Sequence, residues 1–338
     1  MIIAGNHRIL NKLIAGLLLS VLLLLSSVSF AQENDDLLDV LAYNSSRSTR
    51  PPVPEGDFQS IVIPIKRVQN LMMVEATIDG QEGNFILDTG APHLVLNKTY
   101  FRRGKLSDGT SAAGITGAGS TVYHLLIDSL VINGLSYHNV DADLVNLGHL
   151  EDSKGVQIFG LLGANLFNEL EMEIDIRSNT LTLHRLDKDG NRRSGSGNIS
   201  SVPDLKLALE VMNNIIFING AVAGKKLRFC LDTGAETNVL SNASGNKVLE
   251  QFELQSRAAL AGSGVQKLDV LSGRLKELTL GAGKFSNVPF ILTSLAQLQQ
   301  VYGISLDGIV GYDFLSRGLV SINIEKKELT MYYYKGEE

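Results

Sequence analysis

Two short stretches of this 338-residue chain place an acid where it could do chemistry: Phe85-Ile86-Leu87-Asp88-Thr89-Gly90-Ala91 and Phe229-Cys230-Leu231-Asp232-Thr233-Gly234-Ala235. In each, an apolar run that reads as a buried strand ends on an Asp at a Thr-Gly corner, and a second apolar run follows, Leu94-Val95-Leu96 or Val239-Leu240. A carboxylate in such a place is costly unless something compensates it. Two carboxylates brought close together cannot both ionise cheaply, so the pair holds a single proton over a wide pH range. Such a pair is an acid and a base in one site. The ionised member can draw a proton from a water while the protonated member polarises a carbonyl, which gives hydrolysis without a covalent intermediate. Gly90 and Gly234 permit a tight corner at which backbone can approach the opposite Asp. Thr89 and Thr233 carry hydroxyls that both donate and accept, enough to tie one loop to the other.

Positioning two such loops requires two similar supports, and the chain contains them. Strand patterning starts at Ile61-Val62-Ile63-Pro64-Ile65, runs through Leu71 to Ile78, turns at Asp79-Gly80 and returns into the first Asp-Thr-Gly. A glycine-rich stretch from Ala113 to Ser120 lies between strand-like segments and reads as a hairpin tip. Strands are predicted from Leu125 to Ile132 and from Val140 to Val145. An apolar run then breaks at Gly163 into a short helix, and Leu170, Met172, Ile174 and Ile176 alternate with acids. The pattern recurs: Ile78 and Gly80 correspond to Val222 and Gly224, Asp88 to Asp232, the glycine-rich stretch to Ala261-Gly262-Ser263-Gly264-Val265, Gly163 to Gly311, and Ile174 and Ile176 to Ile322 and Ile324. A repeat of this length is a duplicated domain. Two related lobes on one chain can pack about a pseudo-twofold axis and so bring Asp88 and Asp232 together. With 33 Gly, 7 Pro and many short β-branched runs, the expected fold is all-β with a few short helices.

The expected organisation is a signal peptide over residues 1–31, a flexible N-terminal leader over 32–57, a first lobe over 58–187, an inter-lobe linker over 188–204 and a second lobe over 205–338. His7, Arg8 and Lys12 precede an apolar run from Leu13 to Leu25, and Ser29-Phe30-Ala31 forms a small-x-small cleavage site. The chain is therefore expected to be exported to the periplasm or the extracellular space, with no stable membrane insertion after cleavage. Losing residues 1–31 removes two of the 30 basic residues, Arg8 and Lys12, and no acid, which leaves 28 against 36 and a formal net charge of −8. Such a surface disfavours nucleic acid as a partner. The single cysteine, Cys230, has no intramolecular disulfide partner and sits where the first copy has Ile86, so it reads as a small core hydrophobe.

Other candidates carry less. His93 follows the first Asp loop and reads as a surface or subsite residue. No His or Cys spacing suits a metal. Gly281-Ala282-Gly283-Lys284 has the wrong spacing for a phosphate loop, and the stripe Leu295, Leu298, Val301 reads as the core face of a helix.

The duplicated apolar-Asp-Thr-Gly-Ala, the glycine-rich stretch in each half and the late motifs Leu161-Leu162-Gly163 and Ile309-Val310-Gly311 resemble the aspartic peptidases of the pepsin and retropepsin clan. The likeness is greatest to the exported bacterial retropepsin-like proteases with two related domains in one chain. It covers about residues 60–335. It implies two pseudo-twofold-related acid-protease-type β-barrel lobes and endopeptidase action on a peptide or protein substrate held between them, with no metal or organic cofactor. It implies Asp88 and Asp232 as the catalytic pair, supported by Thr89, Gly90, Thr233 and Gly234. Flaps would close through Ile115, Thr116, Gly117, Gly262, Ser263 and Gly264. Two features depart from the pattern. Retropepsins have an Arg after the late glycine, paired with an acid just past the catalytic loop; here Ala164 and Tyr312 follow the glycines, with Pro92 and Glu236 in the loops. A flap tyrosine as in pepsins is missing from both glycine-rich stretches, Tyr123 lying just beyond the first. A monomer is expected. The alternatives are an envelope protein that binds peptide without cleaving it, and a homodimer in which each half pairs with its own kind.

Overall fold

The computed structural model describes residues 51–101, 123–195, 201–261, 267–296, 298–299 and 305–335. The predicted signal peptide and the flap residues Ile115, Thr116, Gly117, Gly262, Ser263 and Gly264 lie outside them.

Lobe 1 contains β1 (Ser60–Pro64), β2 (Lys66–Val68), β3 (Leu71–Ile78), β4 (Gln81–Asp88), β5 (Leu94–Asn97), β6 (Tyr123–Ile132), β7 (Leu135–Val145), β8 (Gly160–Gly163), β9 (Leu170–Asp175) and β10 (Thr180–Arg185). Lobe 2 repeats the series as β11 (Leu205–Met212), β12 (Ile215–Val222), β13 (Lys225–Leu231), β14 (Val239–Ser241), β15 (Phe252–Ala261), β16 (Lys267–Leu280), β17 (Gly283–Thr293), β18 (Gly308–Val310), β19 (Gly318–Asn323) and β20 (Glu328–Tyr333). The described helices are short: α1 (Gly148–Lys154), α2 (Asn246–Leu249), α3 (Tyr312–Leu315) and a single 3-10 turn (Ala164–Phe167).

Each lobe closes a six-stranded barrel. In lobe 1 the order is β3-β4-β8-β5-β7-β6, with β6 pairing back onto β3; in lobe 2 it is β12-β13-β18-β14-β17-β16, with β16 pairing back onto β12. Closure removes sheet edges and buries alternate residues of every strand inside. The two-residue turn Asp79-Gly80, with φ of 48° and 83°, joins β3 to β4 in the left-handed conformations that match strand twist.

A sheet of six strands, β1-β10-β9-β19-β20-β11, joins the lobes. Its centre is the antiparallel pair β9 and β19, which are equivalent strands of the two copies. Met172 faces Ile322, the equivalent of Ile174, and Ile174 faces Val320, the equivalent of Met172, so the two contacts exchange under the axis. This is the signature of a twofold in the backbone. The predicted alternation holds in β9, where Leu170, Met172 and Ile174 are buried. One apolar core runs through both barrels and this sheet.

Two segments expected as leader and linker are, where described, attached to the fold. Pro54 is buried, and Glu55 exchanges two backbone hydrogen bonds with Ser136, Glu55 N to Ser136 O at 2.7 Å and the return at 3.1 Å. Arg192 bonds Glu171 at 2.7 Å and Glu173 at 2.8 Å on the joining sheet, and Glu171 also accepts from Ser321 and Asn323. Glu171 and Glu173 of β9 therefore do not face water, as alternation alone would have them; Arg192 covers them. Burial opposes ionisation of Glu171 and Glu173, but their hydrogen bonds and the Arg192 charge hold both carboxyls below the ordinary value.

Candidate active site

Asp88 ends β4 and Asp232 follows β13, each beside the parallel strand, β8 or β18, that ends on or runs into the late glycine, Gly163 or Gly311. The two loops meet on the pseudo-twofold axis. Thr89 N donates to Thr233 Oγ1 at 3.0 Å, and Thr233 N donates to Thr89 Oγ1 at 3.0 Å. Each hydroxyl then donates across the axis to a carbonyl, Thr89 to Leu231 O at 2.7 Å and Thr233 to Leu87 O at 2.8 Å. Both threonines are fully buried, so these four bonds satisfy groups that would be expensive to leave unpaired. The hydroxyls act as expected from their dual capacity, and they lock the two carboxylates to one frame.

The carboxyls themselves are nearly buried, Asp88 at 8% exposure and Asp232 at 4%. Asp88 Oδ1 accepts from Gly90 N at 2.9 Å and Ala91 N at 3.0 Å, and Asp232 Oδ1 accepts from Gly234 N at 2.8 Å. The two carboxyls are near enough for each to act on the other's ionisation. A Cβ on Gly90 would stand 2.6 Å from Asp232 Cγ, and one on Gly234 would stand 2.7 Å from Asp88 Cγ. Only glycine fits there. The late glycines press on the loops from behind: a Cβ on Gly163 would lie 2.1 Å from His93 O, and one on Gly311 would lie 2.4 Å from Ala235 O.

Burial raises the pKa of Asp88 well above the ordinary value, and the Asp232 carboxyl adds to it. Burial also raises Asp232, but the Asp88 carboxyl and the N–H groups of Gly234, Ala235 and Gly90 counter the rise. Two interacting carboxyls in such a site share a single proton, and the titration belongs to the pair. Burial first, and then the charges of both aspartates, push the Cys230 thiol up; this cysteine is a core residue, as its place in the apolar run indicates.

Around the pair the two lobes differ. Glu236, at the place of the acid in the retropepsin pattern, forms a buried ion pair with Lys154 of α1, in the other lobe. Lys154 Nζ also donates to Gln69 Oε1 at 2.7 Å, and Asn70 Nδ2 donates to the Glu236 carbonyl at 3.0 Å. The ion pair left in doubt by the missing arginine therefore exists with another cation, from lobe 1 and not from the residue after Gly311. No motif in the sequence singles out Lys154. Burial raises the Glu236 pKa against the lowering effect of Lys154. Tyr312 stands in the arginine's own position, and its hydroxyl accepts from Arg67 Nη2 of lobe 1 at 2.6 Å. His93 contacts Asn165 at 3.3 Å, behind the loop, while the corresponding Thr237 donates to Asp313. Leu295 and Leu298 are fully buried, consistent with a core helix face. Among the described residues, no group of three or more His, Cys, Asp or Glu converges as metal ligands.

A cavity of about 60 Å³ opens beside the pair and reaches into lobe 1. Asp88, Gly90, Asp232 and Gly234 of the Asp-Thr-Gly loops form one side of it; the remaining wall is mostly aliphatic and includes Leu147, just before α1, and Leu150 of α1.

Two barrels that each place an Asp-Thr-Gly loop on a common axis define an aspartic protease with two lobes in one chain. Residues 74–166 match the family model for aspartyl proteases, and residues 218–317 match the model for the gag-polyprotein aspartyl proteases. The chain is accordingly an aspartic-type endopeptidase, one aspartyl protease model falling in each lobe. No curated protein matches the chain. Among solved structures, the crystal structure of an aspartic proteinase from Irpex lacteus is similar at 14% identity, covering 82% of this chain and 98% of that one, with a TM-score of 0.48.

Proposed function

We propose that the chain cleaves an extended peptide held in the cleft between the lobes, with a water activated between Asp88 and Asp232. The observation that carries this reading is the buried carboxyl pair, one member from each lobe, on loops locked by reciprocal threonine bonds. The ionised member of the pair removes a proton from the water, whose oxygen bonds the scissile carbon, and the protonated member donates its own to the carbonyl oxygen. As the tetrahedral intermediate collapses and the C–N bond breaks, the first carboxyl gives the water's proton to the leaving nitrogen and a hydroxyl of the intermediate returns a proton to the second, which restores the singly protonated pair. The aliphatic cavity beside the pair supplies apolar contact for a substrate side chain.

One chain supplies both carboxylates, which supports a monomer as the active unit. The basic start, apolar run and Ser29-Phe30-Ala31 support export to the periplasm or the extracellular space.

The test is an assay of purified protein on a mixed peptide library across pH 3–8, beside Asp88→Asn and Asp232→Asn, with gel filtration of the active species. Each substitution removes half of an acid–base pair, so each variant is expected to lose about 10³-fold or more in kcat. The wild-type rate is expected to rise and fall with pH as the singly protonated pair forms and is lost. Wild type that cleaves nothing, or either variant at full activity, sinks the reading. Activity confined to a dimer would favour self-pairing of like halves.

A further inference from the structure

The cavity beside the carboxyl pair is aliphatic except for one residue outside the catalytic loops. Leu71, Ile86, Val95 and Leu161 line it, and so does Asp143, which is only 4% exposed. Burying a carboxylate in such a wall is unfavourable unless it has a use or a partner. His124 Nδ1 lies 3.1 Å from Asp143 Oδ1 and orients that carboxylate.

The barrel itself does not demand an acid there. In lobe 1, β5 and β7 pair in parallel with Val95 facing Asp143; in lobe 2, the equivalent strands β14 and β17 pair with Val239 facing Ile291. Ile291 is buried in the same way. One copy of the duplicated domain does without the carboxylate, and the copy that has it turns it into the cavity that opens on Asp88.

We propose that Asp143 is a specificity-determining residue, and that this cavity takes a substrate side chain with an unbranched apolar stem and a terminal cation, lysine being the natural case. The inference rests on the proposed peptide-cleaving function. The aliphatic wall contacts the methylene stem, and the carboxylate meets the ammonium in a site shielded from water, where such a contact discriminates strongly against an uncharged analogue.

The experiment uses matched peptides in which each position within four residues of the cleaved bond carries either lysine or norleucine, of similar length and without charge. Wild type is expected to favour lysine by about tenfold or more in kcat/KM, at a single position. Asp143→Ile, which copies lobe 2, is expected to reverse that preference and leave the other positions as they were. Should Asp143→Ile fail to fold, Asp143→Asn carries the test, with the preference expected to fall to about twofold or less. Wild type that cleaves the peptides but ranks lysine and norleucine alike overturns this inference alone, as does a lysine preference that persists in the variants. Wild type that cleaves none of them overturns the peptidase reading and this inference with it.

Discussion

The two lobes agree at some positions and disagree a few residues away, and the boundary between the two sets follows a physical rule. Thr89 and Thr233 are the same residue because each bonds the other's backbone and hydroxyl, and Gly90 and Gly234 are the same because each makes room for the opposite carboxyl. A residue whose partner across the axis is its own equivalent cannot change alone. Pro92 and Glu236 occupy equivalent places, as do Ala164 and Tyr312, and Asp143 and Ile291, but only their backbones are bound alike: the Glu236 side chain meets Lys154, the Tyr312 hydroxyl meets Arg67, and Asp143 lines the cavity. Freed from self-complementarity, these positions have diverged. The symmetric set supports the chemistry, and the asymmetric set holds the lobes and shapes the cleft.

The largest expected effect tests the symmetric set. Gly90→Ala would put a methyl 2.6 Å from Asp232 Cγ, and Gly234→Ala would put one 2.7 Å from Asp88 Cγ. Both are closer than carbon atoms pack, so the opposite carboxyl must move out of its place in the pair. Each variant should lose about 10²-fold or more in kcat while keeping most of its thermal stability, checked by turnover and melting on the same preparation. Equal losses uphold the symmetry. A variant within tenfold of wild type would show that one carboxyl tolerates displacement, and the comparison would break at its centre.

The asymmetric set is tested next, at the Lys154–Glu236 pair, whose side chains are 0% and 1% exposed. Lys154→Met leaves an uncompensated buried carboxylate, and removing one partner of such a pair costs about 3–5 kcal/mol. Adding Glu236→Leu should recover most of the loss, since a well-packed apolar replacement of a buried pair is often neutral. Denaturant unfolding of the single and double variants measures both. A Lys154→Met loss under about 1 kcal/mol would mean that the carboxylate finds water or a proton at little cost, and that the pair does not join the lobes.

This contrast also separates what the sequence reveals from what it conceals. The Asp-Thr-Gly corners, the barrel strands and the late glycines are legible because their requirements are local: a turn needs its glycine, and a strand face needs its alternation. They are also legible twice over, since the symmetric contacts force both copies to repeat. Lys154, Asp143 and Arg192 are not legible. Each is one charged residue among many, and its role comes from partners distant in sequence: Glu236 for Lys154, the Asp88 cavity for Asp143, Glu171 and Glu173 for Arg192. Arg192 lies in a glycine- and serine-rich stretch whose composition indicates a linker, and composition carries no sign of the two acids on β9 that it neutralises.

The smallest expected effect lies far from the site, at the first turn of each barrel. In lobe 1 this turn is Asp79-Gly80, and Asp79 Oδ1 accepts from Asp128 N at 3.0 Å and Ser129 N at 2.8 Å on β6. Its equivalent in lobe 2 is Ala223-Gly224, with Ala223 at φ 48°. An alanine there bears the steric penalty of the left-handed conformation without a side-chain acceptor in return, whereas Asn and Asp adopt that conformation more readily. Ala223 is exposed, so a larger side chain meets no packing obstacle. Ala223→Asn is therefore expected to stabilise the protein by about 0.5–1 kcal/mol, read as a shift in denaturant midpoint at unchanged slope and unchanged kcat. Asp79→Ala should cost more than that gain, because it adds the same strain to lobe 1 and strips two backbone N–H groups of their acceptor. Should Ala223→Asn destabilise, the turn in lobe 2 would be held by contacts that need its small side chain, and the two barrels would differ in their frames as well as in their clefts.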